Sequence, residues 1–347
     1  MRALVQERFG EAPEVRVVPD PEPPDGGVVV RVEATGLCRS DWHAFVGHDG
    51  DVVLPHVGGH EWAGTVDAVG AGVDPALLGR RVTAPFVLAC GVCAPCRAGD
   101  QQVCADQLQP GFTGWGSFAE LVAVPRAAVN LVPLPDEVDS GAAALLGCRF
   151  ATAFRALLPV GRLAAGEWLA VHGCGGVGLS AVQVAVAAGA RVVAVDVDPQ
   201  ARRRAVDLGA EAVVDPGEAG WQEVGDQVRV VSGGGTHVSL DALGSEAVVG
   251  ACLAGLRSRG RHVQVGLMPP VLGLPRVPLH LLVAGELEVL GSHGMAAHAY
   301  PGLLALVATG RLLPGGLTSR TITLEEAGPA LAAMAGPAPA GVTLVLP

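Results

Sequence analysis

Four of the eight cysteines, Cys90, Cys93, Cys96 and Cys104, are crowded into the stretch CGVCAPCRAGDQQVC. Spacing this tight strains disulfide pairing but lets four thiolates converge on one tetrahedral ion, at about 2.3 Å per bond for zinc. The neighbouring Gly and Pro permit the turns that convergence needs. An iron–sulfur cluster is the competing metal reading, but the usual bacterial run puts its fourth Cys about three residues on and ahead of Pro. Here seven residues intervene and Ala105 follows. A four-thiolate zinc leaves no coordination position for a substrate, so this site reads as architectural.

A second set is spread along the chain. Cys38, Ser40, Asp41 and His43 lie in GLCRSDWH, His60 and Glu61 in GGHEWAG, and Cys148 in LLGCRFATAF. A catalytic zinc takes three protein ligands and keeps a fourth place open. Cys38, His60 and Cys148 supply two thiolates and an imidazole. Singly, each has an ordinary explanation as a small buried thiol or a hydrogen-bonded histidine. Their order, Gly-rich surroundings and company make them a set. Cys174 and Cys252 read as plain thiols, and His48 and His56 as surface residues of the loop before GGHEWAG, with a place lining a cleft as the alternative.

The second half carries a phosphate cradle. WLAVH at 168–172 reads as a strand, GCGGVG follows, and VGLSAVQVAVAAG reads as a buried helix. Gly173, Gly175 and Gly178 fit G-x-G-x-x-G, with Gly176 and Val177 at the helix start. RVVAV at 191–195 then ends at Asp196, 23 residues after Gly173. In this strand–turn–helix–strand setting the glycines let the backbone approach a pyrophosphate at the helix N-terminus. Asp196 would accept from both ribose hydroxyls and repel a 2′-phosphate, which predicts NAD over NADP. Arg202, Arg203 and Arg204 read as a solvated helix face, with a 2′-phosphate contact as the alternative.

These residues must be positioned by two kinds of structure. Apolar runs recur near 212–214, 237–241, 261–266 and 287–290, making six strands from 168 onward, as a doubly wound parallel sheet requires. Before residue 150 the texture is all-β, with short alternating runs at 28–33, 65–69 and 81–86 between Gly/Pro turns, as in a barrel-like domain. After a helix-like stretch at 302–309, TSRTITL and GVTLVLP read as strands returning to the β domain. The expected division is therefore 1–149 with 290–347 for the catalytic domain, including a zinc lobe at about 90–104, and 150–289 for the nucleotide domain.

Composition removes whole mechanisms. All 23 basic residues are Arg, so Schiff-base chemistry and a P-loop lysine are excluded. With one Tyr, Tyr300, and no Lys, a Tyr/Lys acid–base pair is excluded too. A net charge of −11 over 347 residues, with no basic run, argues against nucleic-acid and membrane partners. No stretch approaches the roughly 20 apolar residues of a membrane span, and MRALVQERFG lacks a secretory core. A soluble, cytoplasmic protein is expected.

GLCRSDWH, GGHEWAGTVDAVG, the four-cysteine lobe, GCRFATAFRAL and GCGGVG…VDVD together resemble the zinc-dependent medium-chain alcohol dehydrogenase family over essentially the full length. The resemblance implies a GroES-like β-barrel domain joined to an α/β Rossmann domain, with the active site in the cleft between. It implies Cys38, His60 and Cys148 as catalytic zinc ligands and Cys90, Cys93, Cys96 and Cys104 as structural ones, two Zn2+ per chain with NAD. Asp41 matches the carboxylate that orients the ligand histidine. Glu61 matches an acid behind the zinc that approaches the metal during ligand exchange, and Ser40 and His43 match a proton relay. Arg39 matches a pyrophosphate contact and Thr152 a residue beside the nicotinamide. Phe86 and Leu267, after the strand ending in Gly266, fall where the family places pocket walls, with core packing as the alternative. Trp115, with Trp42 and Phe86, suggests an apolar pocket. Two departures stand out. The final segment PAGVTLVLP lacks the basic residue many relatives carry, and Ala201 replaces a usual Lys. The expected activity is reversible oxidation of a primary or secondary alcohol. A polyol, amino-alcohol or aldehyde–thiol adduct as substrate, or a non-catalytic nucleotide-binding role, are the alternatives. By analogy the chain is a homodimer or homotetramer.

Overall fold

In a computed structural model the chain divides into two compact units, Met1–Ala151 with Gly294–Pro347, and Thr152–His293. The structure describes residues 1–269, 271, 273–336 and 341–347, so residues 339–340 of the expected final segment lie outside the described residues. Both boundaries fall a little later than the sequence divides the chain. The turn carrying Cys148 continues through Ala151 in the first unit, and the strand Glu288–Gly291 completes the sheet of the second.

The first unit is built on a seven-stranded sheet. Its path runs Thr318–Thr323, Val342–Leu346, Val28–Leu37, Trp62–Val69, Arg81–Thr83 and Val132–Pro133, and Leu121–Val124 pairs onto Val28–Leu37. Every second residue of the central strand, Val28, Val30 and Val32, joins Trp62, Val66, Val82 and Val122 in one apolar cluster, as the two-residue period of a strand requires. The C-terminal strand pairs antiparallel with Thr35–Leu37, which returns the chain to this unit. A second sheet joins Glu14–Val17, Arg2–Gln6 and His56–Val57.

The all-β expectation before residue 150 needs correction at Arg39–Phe45, which is helical. The reason is local. Cys38 caps the helix in an extended conformation, and the Asp41 carboxylate, three residues on, accepts the Cys38 N–H at 2.8 Å. That is half of a capping box, and it ties off a donor the helix would otherwise leave unsatisfied. Ala44 and Phe45 turn inward on the same helix.

The second unit is a six-stranded, all-parallel sheet. The strands stand in the order Ala212–Val214, Arg191–Val195, Trp168–His172, Thr236–Asp241, Leu256–Gln264 and Glu288–Gly291. Numbered along this unit, that order is 3-2-1-4-5-6, the doubly wound arrangement, with its switch point beside Trp168–His172. The fifth strand starts at Leu256, five residues before the apolar run that announced it, because the buried Leu256 is followed by the exposed polar residues Arg257, Ser258 and Arg259. Helix Gly176–Ala187 is buried over most of its circumference, as its all-round apolarity predicts. Among the described residues no helix is long and apolar enough to cross a membrane.

Candidate active site

The structure brings Cys38, His60 and Cys148 together: their sulfurs and ring nitrogen lie within 4.8 Å of one another. Each comes from a different element. Cys38 ends the central strand and caps the helix Arg39–Phe45. His60 precedes the strand Trp62–Val69. Cys148 sits in a π-helical segment, Leu146–Phe150, whose wide turn is a common device at functional sites. The only tyrosine holds that turn, its buried hydroxyl donating to the Leu146 carbonyl at 3.1 Å.

Asp41 does two jobs. One oxygen accepts the Cys38 N–H, and the other accepts His60 Nδ1–H at 2.7 Å. With Nδ1 so engaged, the buried Nε2 of His60 makes no hydrogen bond and faces the two thiols. Burial opposes a charge on His60, but the Asp41 carboxylate and the Cys38 sulfur outweigh it and hold the imidazole up to about 10. The thiols polarise each other. The hydrogen bond from Cys148 drives Cys38 well below its usual range, and the same contact with burial drives Cys148 up. Two buried sulfurs thus share one charge, and an orphaned imidazole nitrogen joins them. A bound dication resolves all three conditions at once, so the donor set fits zinc.

The four-cysteine lobe also converges. All four sulfurs lie within 4.8 Å of one another. Cys90 Sγ accepts N–H groups of Val92 and Cys93 at 3.4 and 3.3 Å, and Cys104 Sγ accepts those of Cys90 and Asp106 at 3.2 and 3.4 Å. Backbone hydrogens aimed at sulfur favour thiolates, and Cys93 is pulled down to about 6 by such bonds. None of the eight cysteines forms a disulfide.

The remaining expected residues divide into two groups. Ser40 stays close, its hydroxyl 3.9 Å from Cys38 Sγ. His43 is half-buried, and its Nδ1 lies 3.0 Å from Nδ1 of His48, so His48 is a hydrogen-bonded partner rather than a plain surface residue. His56 is likewise buried, with Nε2 on the Gly111 carbonyl at 2.8 Å. Phe86 packs edge-on to the His60 ring, with centroids 6.1 Å apart. Trp115 is 42% exposed, and its indole donates to the Pro55 carbonyl. The second ring on His60 is Phe112, buried and 5.2 Å away, which the sequence did not single out. Arg39 stacks over Trp42 at 4.2 Å and donates to the Met334 carbonyl. Glu61 is fully buried with both oxygens taken by Arg149, a residue the sequence reading passed over.

In the second unit, Gly173, Gly175, Gly176, Val177 and Gly178 form the turn into the helix Gly176–Ala187. A Cβ on Gly178 would lie 1.8 Å from the Gly173 carbonyl oxygen, so only glycine lets the turn close. Asp196 accepts the Cys174 N–H at 2.6 Å and the Asp198 N–H at 2.8 Å, which fixes its carboxylate beside the cradle. A mainly apolar cavity of about 200 Å3 opens there, lined by His172, Gly173, Asp196, Pro216, Leu243 and Val248 among others. Arg202 is committed to Asp215 at 2.7 Å and to the Asp196 carbonyl, which favours the solvated-face reading of that residue. Thr152 is buried, and Leu267, beyond Gly266, is half exposed.

The fold is a doubly wound, nucleotide-binding type of sheet beside a β domain that carries two donor sets fit for a metal ion. Comparison with known proteins agrees. Residues 24–136 match the alcohol dehydrogenase GroES-like domain and residues 176–309 the zinc-binding dehydrogenase domain. An alcohol dehydrogenase of Geobacillus stearothermophilus is 33% identical over 334 residues, covering 94% of this chain and 93% of its own. One from Rhizobium meliloti is 36% identical over 315 residues, covering 86% and 90%. Among solved structures, the alcohol dehydrogenase TADH of Thermus sp. ATN1 superposes with a TM-score of 0.88 at 32% identity, covering 100% of this chain and 99% of its own. A cobalt- and zinc-bound alcohol dehydrogenase of Pyrobaculum aerophilum gives 0.87 at 27%, covering 100% and 99%. The chain belongs to the zinc-dependent medium-chain alcohol dehydrogenase family, with a GroES-like domain and a Rossmann domain.

Proposed function

We propose that the protein oxidises primary or secondary alcohols reversibly with NAD, using Cys38, His60 and Cys148 as the ligands of a catalytic zinc. The observation that carries this reading is the unpartnered, buried Nε2 of His60, facing two thiols and backed by Asp41. A zinc ion held by Cys38, His60 and Cys148 would supply Lewis acidity that lowers the hydroxyl pKa of an alcohol, and NAD held at the glycine cradle would supply the hydride acceptor.

The protein's share is to hold these groups and move the proton. Asp41 fixes the His60 tautomer and ring pose, leaving Nε2 for the metal. Ser40, against Cys38, is placed to take the hydroxyl proton by hydrogen bond, and His43 with its partner His48 to pass it outward. Burial lowers the His43 pKa, helped by His48 and Arg39, which keeps the ring neutral and able to accept. Phe86 and Phe112 wall His60 with apolar surface, which suits short unbranched or secondary alcohols. Cys90, Cys93, Cys96 and Cys104 are assigned to a structural zinc.

For the coenzyme, the negative Asp196 beside the cradle and the engagement of Arg202 by Asp215 favour NAD over NADP. A neighbour from Sinorhizobium meliloti, 31% identical, was solved with NADP bound, so the preference of this chain rests on its own residues. Self-association is proposed through the outer edge of the second unit's sheet. Among the described residues the strand Glu288–Gly291 stands at the end of the six-stranded order; its Val289 is 45% exposed, and Leu279 and Val283 of the preceding helix Leu279–Gly285 are 64 and 83% exposed. The dependence on reduced thiols supports a cytoplasmic location. A rate panel of short alcohols, polyols, amino-alcohols and aldehyde–thiol adducts with each coenzyme tests the assignment. Turnover confined to polyols or adducts would replace the substrate class, and no turnover with any of them would remove the function.

A further inference from the structure

The buried pair Arg149–Glu61 touches every segment that bears a ligand of the proposed catalytic zinc. Arg149 follows Cys148, Glu61 follows His60, and Leu37 precedes Cys38. Arg149 Nε donates to Glu61 Oε2 at 2.9 Å, and Nη2 donates both to Glu61 Oε1 and to the Leu37 carbonyl at 3.2 Å. The arginine side chain is 4% exposed and the glutamate 0%. The fold makes room for the pair. A Cβ on Gly36 would stand 2.5 Å from Glu61 Oε1, so glycine is needed where the carboxylate passes. The Gly36 N–H and the Thr35 hydroxyl both donate to the Glu61 carbonyl, at 2.8 and 3.0 Å, pinning the backbone on which the acid stands.

We infer that Arg149 is a positioning residue, a three-way clamp that fixes the separation of the Cys38, His60 and Cys148 donors; this rests on reading those three as the metal ligands. A planar guanidinium with donors on a rigid fork can hold a carboxylate and a carbonyl at set angles, which the point charge of a lysine cannot do. The clamp also balances charge. With both thiols ionised, Cys38, Cys148, Asp41 and Glu61 carry −4, and Arg149 returns +1. The net −3 becomes −1 with a divalent ion in place. Without Arg149 the acid next to His60 is an unpaired charge in the interior, free to be drawn toward the metal. Pinned by Arg149, it leaves the metal a three-donor protein site with an open position.

Three variants of the full-length holoenzyme test this: R149K, R149M and the double variant E61M/R149M. The readouts are zinc release to a colorimetric chelator, the absorption of the cobalt-substituted protein, and NAD binding by fluorescence. R149M should release the Cys148-dependent zinc with an affinity about 10- to 100-fold weaker, the usual cost of losing a partner behind a metal ligand. R149K should recover only part of that loss. NAD affinity should stay within about twofold of wild type, since the cradle lies in Thr152–His293. The double variant separates a clamp from a buried charge that merely needs neutralising, because it leaves no unpaired charge in the interior. It should fold, still release zinc readily, and show a shifted cobalt spectrum. Wild-type zinc retention and cobalt absorption in the double variant would overturn the clamp, as would an R149M protein that keeps its zinc. An inactive wild type that nonetheless binds zinc through Cys148, and loses it in R149M, would refute the alcohol dehydrogenase reading and leave the clamp standing.

Discussion

At the scale of single residues, Asp41 shows how little is wasted. One carboxylate caps a helix and orients the imidazole proposed as a zinc ligand, so the fold and the proposed metal centre share a side chain. Ser40 has the narrower task. Replacing it with Ala removes a proton acceptor but no packing of consequence, so S40A should lower kcat about 10²- to 10⁴-fold with zinc content unchanged. Rates equal to wild type would dispose of the relay. His172, 2% exposed at the end of the first strand of the Rossmann unit, makes a different kind of prediction. Burial, with help from His262, pushes its pKa down to about 3. The unfolded chain, with an ordinary value of about 6.5, binds that proton more readily. Stability is therefore unaffected by His172 above about pH 6.5 and is lost as pH falls from there toward 3. By pH 5 the loss amounts to about 2 kcal/mol. Urea melts of H172F should show a smaller drop between pH 7 and 5 than wild type, and parallel curves would show that His172 is not held neutral.

At the scale of elements, the chemistry was legible where it depends on neighbours in sequence. CGVCAPC and GCGGVG each place their working groups within one turn or loop, so spacing alone carries the geometry. The tripod was legible only as a set, because three strangers in sequence meet through strands and a π-turn that no periodicity announces. Arg149 was missed for the same reason: an arginine beside an apolar run reads as surface, and its two partners lie 88 and 112 residues away. Phe112 was missed because nothing in its spacing marks it, although its ring lies 5.2 Å from that of His60. The helix Arg39–Phe45 was hidden in a β-textured half because it is only seven residues long. The lobe makes a test of its own. C96A should cost one of two zinc ions and expose residues 90–104 to protease while NAD binding by the other unit persists. An intact zinc count would return the lobe to free thiols.

At the scale of the whole molecule, Met1–Ala151 with Gly294–Pro347 carries both donor sets proposed for zinc, and Thr152–His293 carries the glycine turn proposed for the dinucleotide. Each unit can then be perturbed separately. Coenzyme choice belongs to the second. The wild type should show a kcat/KM for NAD at least about tenfold above that for NADP, and D196A should narrow the gap by removing the charge that repels a 2′-phosphate. A wild type faster with NADP would mean that Arg203 or Arg204 outweighs Asp196.

Whether this chain oxidises alcohols turns on Cys38, His60 and Cys148 sharing one zinc ion. Zinc content and NADH formation from a short alcohol, measured side by side on wild type and C148A, test it most directly. Two zinc ions per chain and turnover in the wild type, against one zinc, no turnover and retained NAD binding in C148A, is the expected result. A C148A protein that keeps two zinc ions and oxidises the alcohol at the wild-type rate would contradict it.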